Sequence, residues 1–243
     1  LRAEITTRFQ VGLAMAGAEY GLVIFDCDGV LVDSEPLSIS VLVQAMRDSG
    51  VEIDEEGAYK RFLGKSLATL IDTLETEFNV FASQEFLDRI RNDLYARFRT
   101  ELKPIPGVAE TLDALDIPRC VASSSQLERI RLSLGLTGLL DRLEPHIFSA
   151  SMVKRGKPAP DLFLHAARQM GVEPGRCVVV EDSPAGITAA RAAGMTVFAF
   201  AGGSHAHSAY YHAELDRLSP EVVFDAMEDL IHLVRKRKNG RGS

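Results

Sequence analysis

Four groups of polar residues stand at places in the chain where chemistry is to be expected. Asp26 and Asp28 follow the apolar run Leu22 to Phe25 and precede Gly29. Ser123, Ser124 and Ser125 follow the apolar Cys120 to Ala122. Lys157 lies in a Gly-Lys-Pro loop, and Glu181 and Asp182 follow Cys177 to Val180. Acids gathered at one rim repel each other and raise each other's pKa unless a cation sits among them. Oxygen donors suit Mg²⁺, which also binds substrate phosphate. A carboxylate such as Asp26 can attack phosphorus to form an aspartyl phosphate, with the cation offsetting the repulsion between the two anions. Lys157 and the Ser123 hydroxyl can hold the phosphoryl oxygens while charge spreads over them. Asp28 is placed to protonate the leaving alkoxide and later to deprotonate water. Each group alone has an ordinary explanation as a turn, a loop, a solvated lysine or a helix start. All four in order, each at a strand end or the loop beside it, argue for one site.

Such a site needs a scaffold that brings strand ends together. Short apolar runs predict buried strands at Leu22 to Phe25, Cys120 to Ala122, His146 to Phe148, Cys177 to Val180, Thr196 to Phe200 and, weakly, Val222 to Phe224. Helical stretches alternate with them: Val108 to Leu115, Leu127 to Leu134 stopping at Gly135, Asp161 to Met170 before Gly171, and Ala185 to Ala193. The last has Ser183 and Pro184 before it and Gly194 after it, the asymmetry of a helix cap, first turn and stop. Alternation of this kind implies parallel strands joined by right-handed crossovers, hence an α/β fold with a doubly wound, Rossmann-like parallel sheet. Ligands in such sheets bind beyond the carboxyl ends of the strands. From about Pro36 to Lys103 no strand is expected. Phe86, Ile90, Leu94 and Phe98 recur at helical spacing, and roughly four helices fit. The plan is therefore a leader (1–19), a core (20–35 and 104–234), an inserted all-helical domain (36–103) and a basic tail (235–243), with Pro104 to Gly107 as a stiff hinge.

Composition excludes several classes. With 27 basic and 34 acidic residues the formal charge is −7, which argues against a nucleic-acid-binding surface. Cys27, Cys120 and Cys177 sit in apolar runs without zinc or disulfide spacing, so a reducing, cytoplasmic setting is expected. No apolar run is long enough to span a bilayer, and the first twenty residues lack the layout of a secretory signal. His205, His207 and His212, near Tyr210 and Tyr211, match no trusted ligand spacing and are read as a surface loop. Gly202 and Gly203 are read as a turn.

The stretches FDCDGVLVDSE (Phe25 to Glu35), VASSS (Val121 to Ser125), GKPAPDLF (Gly156 to Phe163) and VVVEDSPAGI (Val178 to Ile187) resemble the haloacid dehalogenase-like hydrolases. The likeness is to the branch with a helical cap that includes sugar-phosphate phosphatases and β-phosphoglucomutase, and covers about Leu22 to Gly202. It implies a Mg²⁺-dependent hydrolase of small phosphorylated metabolites. By that resemblance Asp26 is nucleophile and metal ligand, and Asp28 is the general acid/base with its backbone carbonyl on the metal. Ser123, with Ser124 beside it, and Lys157 bind the phosphoryl group. Asp182 is a metal ligand, with Glu181 on the cation or just behind it. The insert is then a cap that closes over substrate, and its Lys65 either faces the site or is solvated. Asp28 separates the chain from the dehalogenases, which lack that second aspartate. Mutase-type sequences carry a histidine near the position of Ser38 and a Lys-Asn pair where Gln126 and Leu127 stand here. Both departures favour hydrolysis, with a sugar phosphomutase as the alternative. Phosphonate cleavage would need a Schiff-base lysine in the cap, for which Lys60 and Lys65 are the candidates. A phospho-aspartate signalling module is the non-enzyme alternative, but such modules are about half this length and lack the insert. The oligomeric state is left open, with a monomer favoured.

Overall fold

A computed structural model describes residues 20–207 and 209–235. Six parallel strands form one sheet in the order β3-β2-β1-β4-β5-β6. They are β1 (Leu22–Phe25), β2 (Arg119–Ser123), β3 (Ile147–Ser149), β4 (Cys177–Glu181), β5 (Thr196–Phe200) and β6 (Val222–Phe224). All six are the runs expected from sequence. Alternate side chains along each strand face opposite sides. Val23, Phe25, Val121, Val178 and Phe198 build one core; Leu22, Ile24, Cys120, Val179 and Val197 build the other. Burial on both faces explains why the strands read as continuous apolar runs rather than alternating ones. All three cysteines are buried and unpaired.

The chain leaves β1 toward β2 and β3 on one side and later returns to place β4, β5 and β6 on the other. The strand order therefore reverses between β1 and β4, the place where such sheets bind ligands. Register sets Phe25 opposite Val180, so Asp26 and Glu181 are next in line on neighbouring strands.

The insert after β1 holds α1 (Glu35–Asp48), α2 (Glu55–Phe62), α3 (Leu67–Phe78) and α4 (Gln84–Glu101). Asp54, Ser66 and Ser83 cap the last three by accepting from the backbone N–H of Gly57, Thr69 and Phe86. These helices have their own apolar contacts, centred on Ile39, Leu42, Met46, Phe62 and Leu74 and, separately, on Val41, Leu94 and Phe98. Both connections to the sheet run side by side: Asp33 N–H donates to Lys103 O and Ile105 N–H to Leu31 O. Around the sheet lie α5 (Val108–Ala114), α6 (Leu127–Leu136), α7 (Asp161–Gln169), α8 (Pro184–Ala192), α9 (Ala209–Leu218) and α10 (Leu230–Arg235).

Two local expectations are corrected. The helix from Leu127 does not stop at Gly135 but runs through it to Leu136, and Gly138 takes the left-handed conformation (φ 73°). The glycine at Gly135 has helical neighbours on both sides, so only its type suggested a stop. Arg235 is not tail: it is the last residue of α10 and pairs with Asp116 at 2.9 Å. The leader 1–19 and residues 236–243 of the tail lie outside the described residues. Among the described residues no helix is long and apolar enough to cross a membrane.

Candidate active site

Asp26, Asp28, Ser123, Ser124, Lys157, Glu181 and Asp182 converge at the carboxyl edge of β1, β2 and β4. Asp26 continues β1 by donating its N–H to Val180 O at 2.9 Å. Its side chain is 5% exposed as a residue and lies beside Lys157, whose Nζ is 2.9 Å from Asp26 Oδ1. The same Nζ donates to Glu181 Oε2 at 2.7 Å. Phe163 closes off Lys157 from below, its ring centroid 4.9 Å from Nζ. Burial alone would lower the lysine pKa, but Asp26 and Glu181 hold it above the ordinary range. Glu181 Oε1 accepts from the Ser183 N–H and hydroxyl, so its carboxylate is fixed at both ends.

Burial, then the charge of Glu181, raises the pKa of both Asp26 and Asp182; Lys157 only partly offsets this. One carboxylate oxygen from each of Asp26, Glu181 and Asp182 lies within 4.8 Å of the others. Three buried carboxylates thus face one ammonium, leaving two excess negative charges when all are ionised. Hard oxygen donors with that excess fit a divalent cation such as Mg²⁺.

Asp28 is in a different electrical setting. Burial would raise its pKa, but the Arg129 guanidinium and hydrogen bonds from Ser125 and Ser34 outweigh burial and hold it below the usual carboxylate range. Arg129 NH2 is 2.8 Å from Asp28 Oδ1, and the Ser34 and Ser125 hydroxyls each donate at 2.6 Å. Arg129 also donates to Ser38 Oγ on α1 at 3.1 Å and lies over the Phe98 ring of α4, 5.4 Å from its centroid. One core arginine therefore touches Asp28 and two helices of the insert.

A cavity of about 110 Å³ lies between this rim and the insert. Its polar floor is Asp26, Asp28, Ser123 to Ser125 and Arg129, and its roof is largely apolar, from Ile39, Leu42, Phe62, Leu70, Ile90 and Leu94. Ser123 Oγ accepts from Ser125 N–H at 3.1 Å; Ser124 Oγ is buried without a protein partner. Lys65 lines the cavity although the residue as a whole is exposed, and Lys60 is exposed on α2. The adjoining Gly64 (φ +65°) is pressed on the β4–α8 turn: a Cβ there would lie 2.4 Å from Ser183 Cβ. A larger groove of about 590 Å³ runs along α1 and α4, but none of the candidate residues line it.

Sequence reasoning missed Ser34, Glu35 and Arg129 as site residues, and gave Ser125 a place at the strand end but no role of its own. Glu35 lies at the end of the first motif and is 7% exposed; burial and the charges of Asp28 and Asp182 push its pKa from 4.5 up to about 8. Arg129 sits on α6 beside Glu128 and Arg131, which reads as a solvated helix face. Its contact with Asp28 spans 101 positions and leaves no local signal. The surface-loop reading of the histidines is corrected for His205, which is 3% exposed with Nε2 2.9 Å from Asp182 Oδ2. His212 is exposed as expected but lies on α9 rather than in a loop; the side chains of His207 and Tyr210 lie outside the described residues. Gly202 does more than turn the chain, since a Cβ would lie 2.1 Å from Asp225 O.

The family model for haloacid dehalogenase-like hydrolases matches residues 20–194. The 6-phosphogluconate phosphatase of Escherichia coli (strain K12) is 35% identical over 184 residues, covering 75% of this chain and 83% of that protein. The phosphorylated carbohydrates phosphatase of Thermotoga maritima is 33% identical, covering 71% of this chain and 81% of that protein. The crystal structure of a hydrolase of the same family from Deinococcus radiodurans R1, with bound phosphate and sodium, superposes with a TM-score of 0.69 at 34% identity, covering 88% of this chain and 94% of that one. A parallel sheet with its acids at the switch point, a helical insert after the first strand and these matches agree: the chain belongs to the haloacid dehalogenase-like hydrolases.

Proposed function

We propose that the chain is a Mg²⁺-dependent phosphatase of small phosphorylated metabolites, sugar phosphates first, working through a covalent phosphate on Asp26. The observation that carries this is the placement of the Asp26 carboxylate on the cavity floor, beside Lys157 and within 4.8 Å of carboxylate oxygens of Glu181 and Asp182. Asp26, Asp182 and Glu181, with the Asp28 backbone carbonyl, would hold the cation. When bound it supplies charge that lets a carboxylate approach an anionic ester. Both curated relatives carry names that specify phosphorylated carbohydrates or sugar acids, and the Deinococcus relative binds phosphate; each supports the substrate class.

In the first step an Asp26 oxygen forms a bond to phosphorus as the ester P–O bond breaks, and Asp28 gives its proton to the leaving alkoxide. In the second, Asp28 takes a proton from water, whose oxygen attacks phosphorus, releasing phosphate and restoring the Asp26 carboxylate. Lys157 and the hydroxyls of Ser123 and Ser124 hold the phosphoryl oxygens. The Arg129 contact favours ionised Asp28, the form the second step needs; donation in the first step requires that contact to loosen. The apolar roof and the Gly64–Ser183 contact give water little to bind above the reacting atoms, with Lys65 at the cavity's edge.

Hydrolysis is preferred to phosphoryl transfer between sugar positions because Ser38, Gln126 and Leu127 stand where mutase-type sequences carry a histidine and a Lys-Asn pair. A panel of phosphorylated metabolites assayed for released phosphate with Mg²⁺ tests the proposal. Turnover of sugar phosphates, abolished by Asp26→Asn, is expected. An unchanged rate in that variant overturns the nucleophile, and an Asp26 acyl phosphate persisting for minutes would favour a signalling role.

A further inference from the structure

His205 stands behind the acidic rim rather than on it. Its side chain is fully buried, Asp182 is 2% exposed, and Nε2 lies 2.9 Å from Asp182 Oδ2. Neither ring nitrogen makes an aligned hydrogen bond within the protein. A buried imidazole without aligned partners is costly unless it serves a neighbouring charge.

The surroundings are shaped to admit this ring. A Cβ on Gly203 would lie 2.7 Å from His205 Cε1. A Cβ on Gly29 would lie 2.9 Å from the same atom and 2.0 Å from Asp182 Oδ2. Two glycines from different loops thus leave room for the histidine and the aspartate together. Tyr211 packs edge-on against the ring at 5.3 Å, and its hydroxyl donates to Phe200 O at 2.6 Å, tying the stack to the end of β5. Ser204 N–H and hydroxyl both donate to the Asp33 carboxylate, tying the loop to the turn after β1.

We infer that His205 is a positioning residue: Nε2 lies within reach of Asp182 Oδ2, and a small turn of the ring aims its N–H at that oxygen and fixes the carboxylate toward the cation site shared with Asp26 and Glu181. The inference rests on the phosphatase reading for the cation, though the contact itself does not. A carboxylate free to turn about its last bond loses orientation when a ligand needs it, and a donor behind it removes that freedom. The neutral imidazole suffices, because only one N–H is required.

Two measurements test this on the full chain. The first is Mg²⁺ binding by calorimetry, with Mg²⁺ alone and no substrate, alongside metal-free melting. His205→Leu is expected to weaken Mg²⁺ binding by about 10- to 100-fold. His205→Gln, which keeps an N–H at a similar reach, is expected to restore most of that loss. Unchanged Mg²⁺ affinity in folded His205→Leu, with only a lower melting temperature, overturns the inference, because a packing role alone would give that result. The second is ¹⁵N-histidine NMR of the unaltered protein, which needs no variant to fold. An Nε2–H tautomer that responds to Mg²⁺ is expected; an Nδ1–H tautomer overturns the inference. Failure of the unaltered protein to bind Mg²⁺ would count against the phosphatase reading, while the tautomer would still decide the His205–Asp182 contact.

Discussion

Arg129→Gln is the most informative single change outside the acidic cluster. It removes the guanidinium that faces Asp28 at 2.8 Å and leaves the carboxylate with only the Ser34 and Ser125 hydroxyls. At an effective dielectric of about 20 and a charge separation of roughly 4 Å, the lost attraction is about 4 kcal/mol. Breaking a buried pair by removing one partner costs about 3–5 kcal/mol. The Arg129 side chain keeps 22% exposure, so water recovers part of the loss and about 3 kcal/mol is expected. The sign with pH follows from the depressed Asp28 pKa. Its stabilisation is present above the unfolded value, near 3.9, and is lost as pH falls through the lower folded value. In the variant the Asp28 pKa rises, so the stability deficit is full at pH 7 and shrinks toward pH 4. Urea denaturation in a chelator at both pH values measures this, and a double-mutant cycle with Asp28→Asn isolates the pair. The double variant should be more stable than Arg129→Gln alone at pH 7, because no buried charge is left unpaired. A cost below about 1 kcal/mol, the value of an exposed pair, would refute the reasoning. So would a double variant no more stable than the single one.

Lys157→Met should destabilise the metal-free protein at pH 7 by about 3–5 kcal/mol, since Asp26 and Glu181 lose their shared cation; Mg²⁺ should restore part of the melting temperature. Glu35→Gln should flatten the pH dependence of stability between pH 4.5 and about 8. A carboxyl with a raised folded pKa keeps a proton that the unfolded chain has released, so native stability falls as pH rises through that window, by at most about 5 kcal/mol. Parallel urea midpoints for both proteins from pH 5 to 8 would refute this. Gly29→Ala should suppress Mg²⁺-dependent phosphate release, because the new methyl would lie 2.0 Å from Asp182 Oδ2 at a φ of +78°. Left-handed backbone adds about 1–2 kcal/mol, readable as a lower melting temperature.

Strand identity and order along the chain were decided locally. Leu22 to Phe25 and Cys177 to Val180 are apolar throughout because both faces of a parallel sheet are covered, and a run of that kind is visible without coordinates. Asp26, Asp28, Lys157 and Asp182 were legible for a related reason: each sits at a strand end or in a loop beside one, where an unpaired charge stands out from apolar neighbours. Arg129, Glu35 and His205 were not legible. An arginine on an amphipathic helix, an acid in a first turn and a histidine after paired glycines are all ordinary at the surface. Only packing decides that Arg129 crosses to Asp28, that the insert presses Gly64 on Ser183, and that the loop after β5 carries His205 inward to Asp182. Sequence periodicity records which face of an element is apolar; which polar group a distant element brings against it depends on how the elements meet in space.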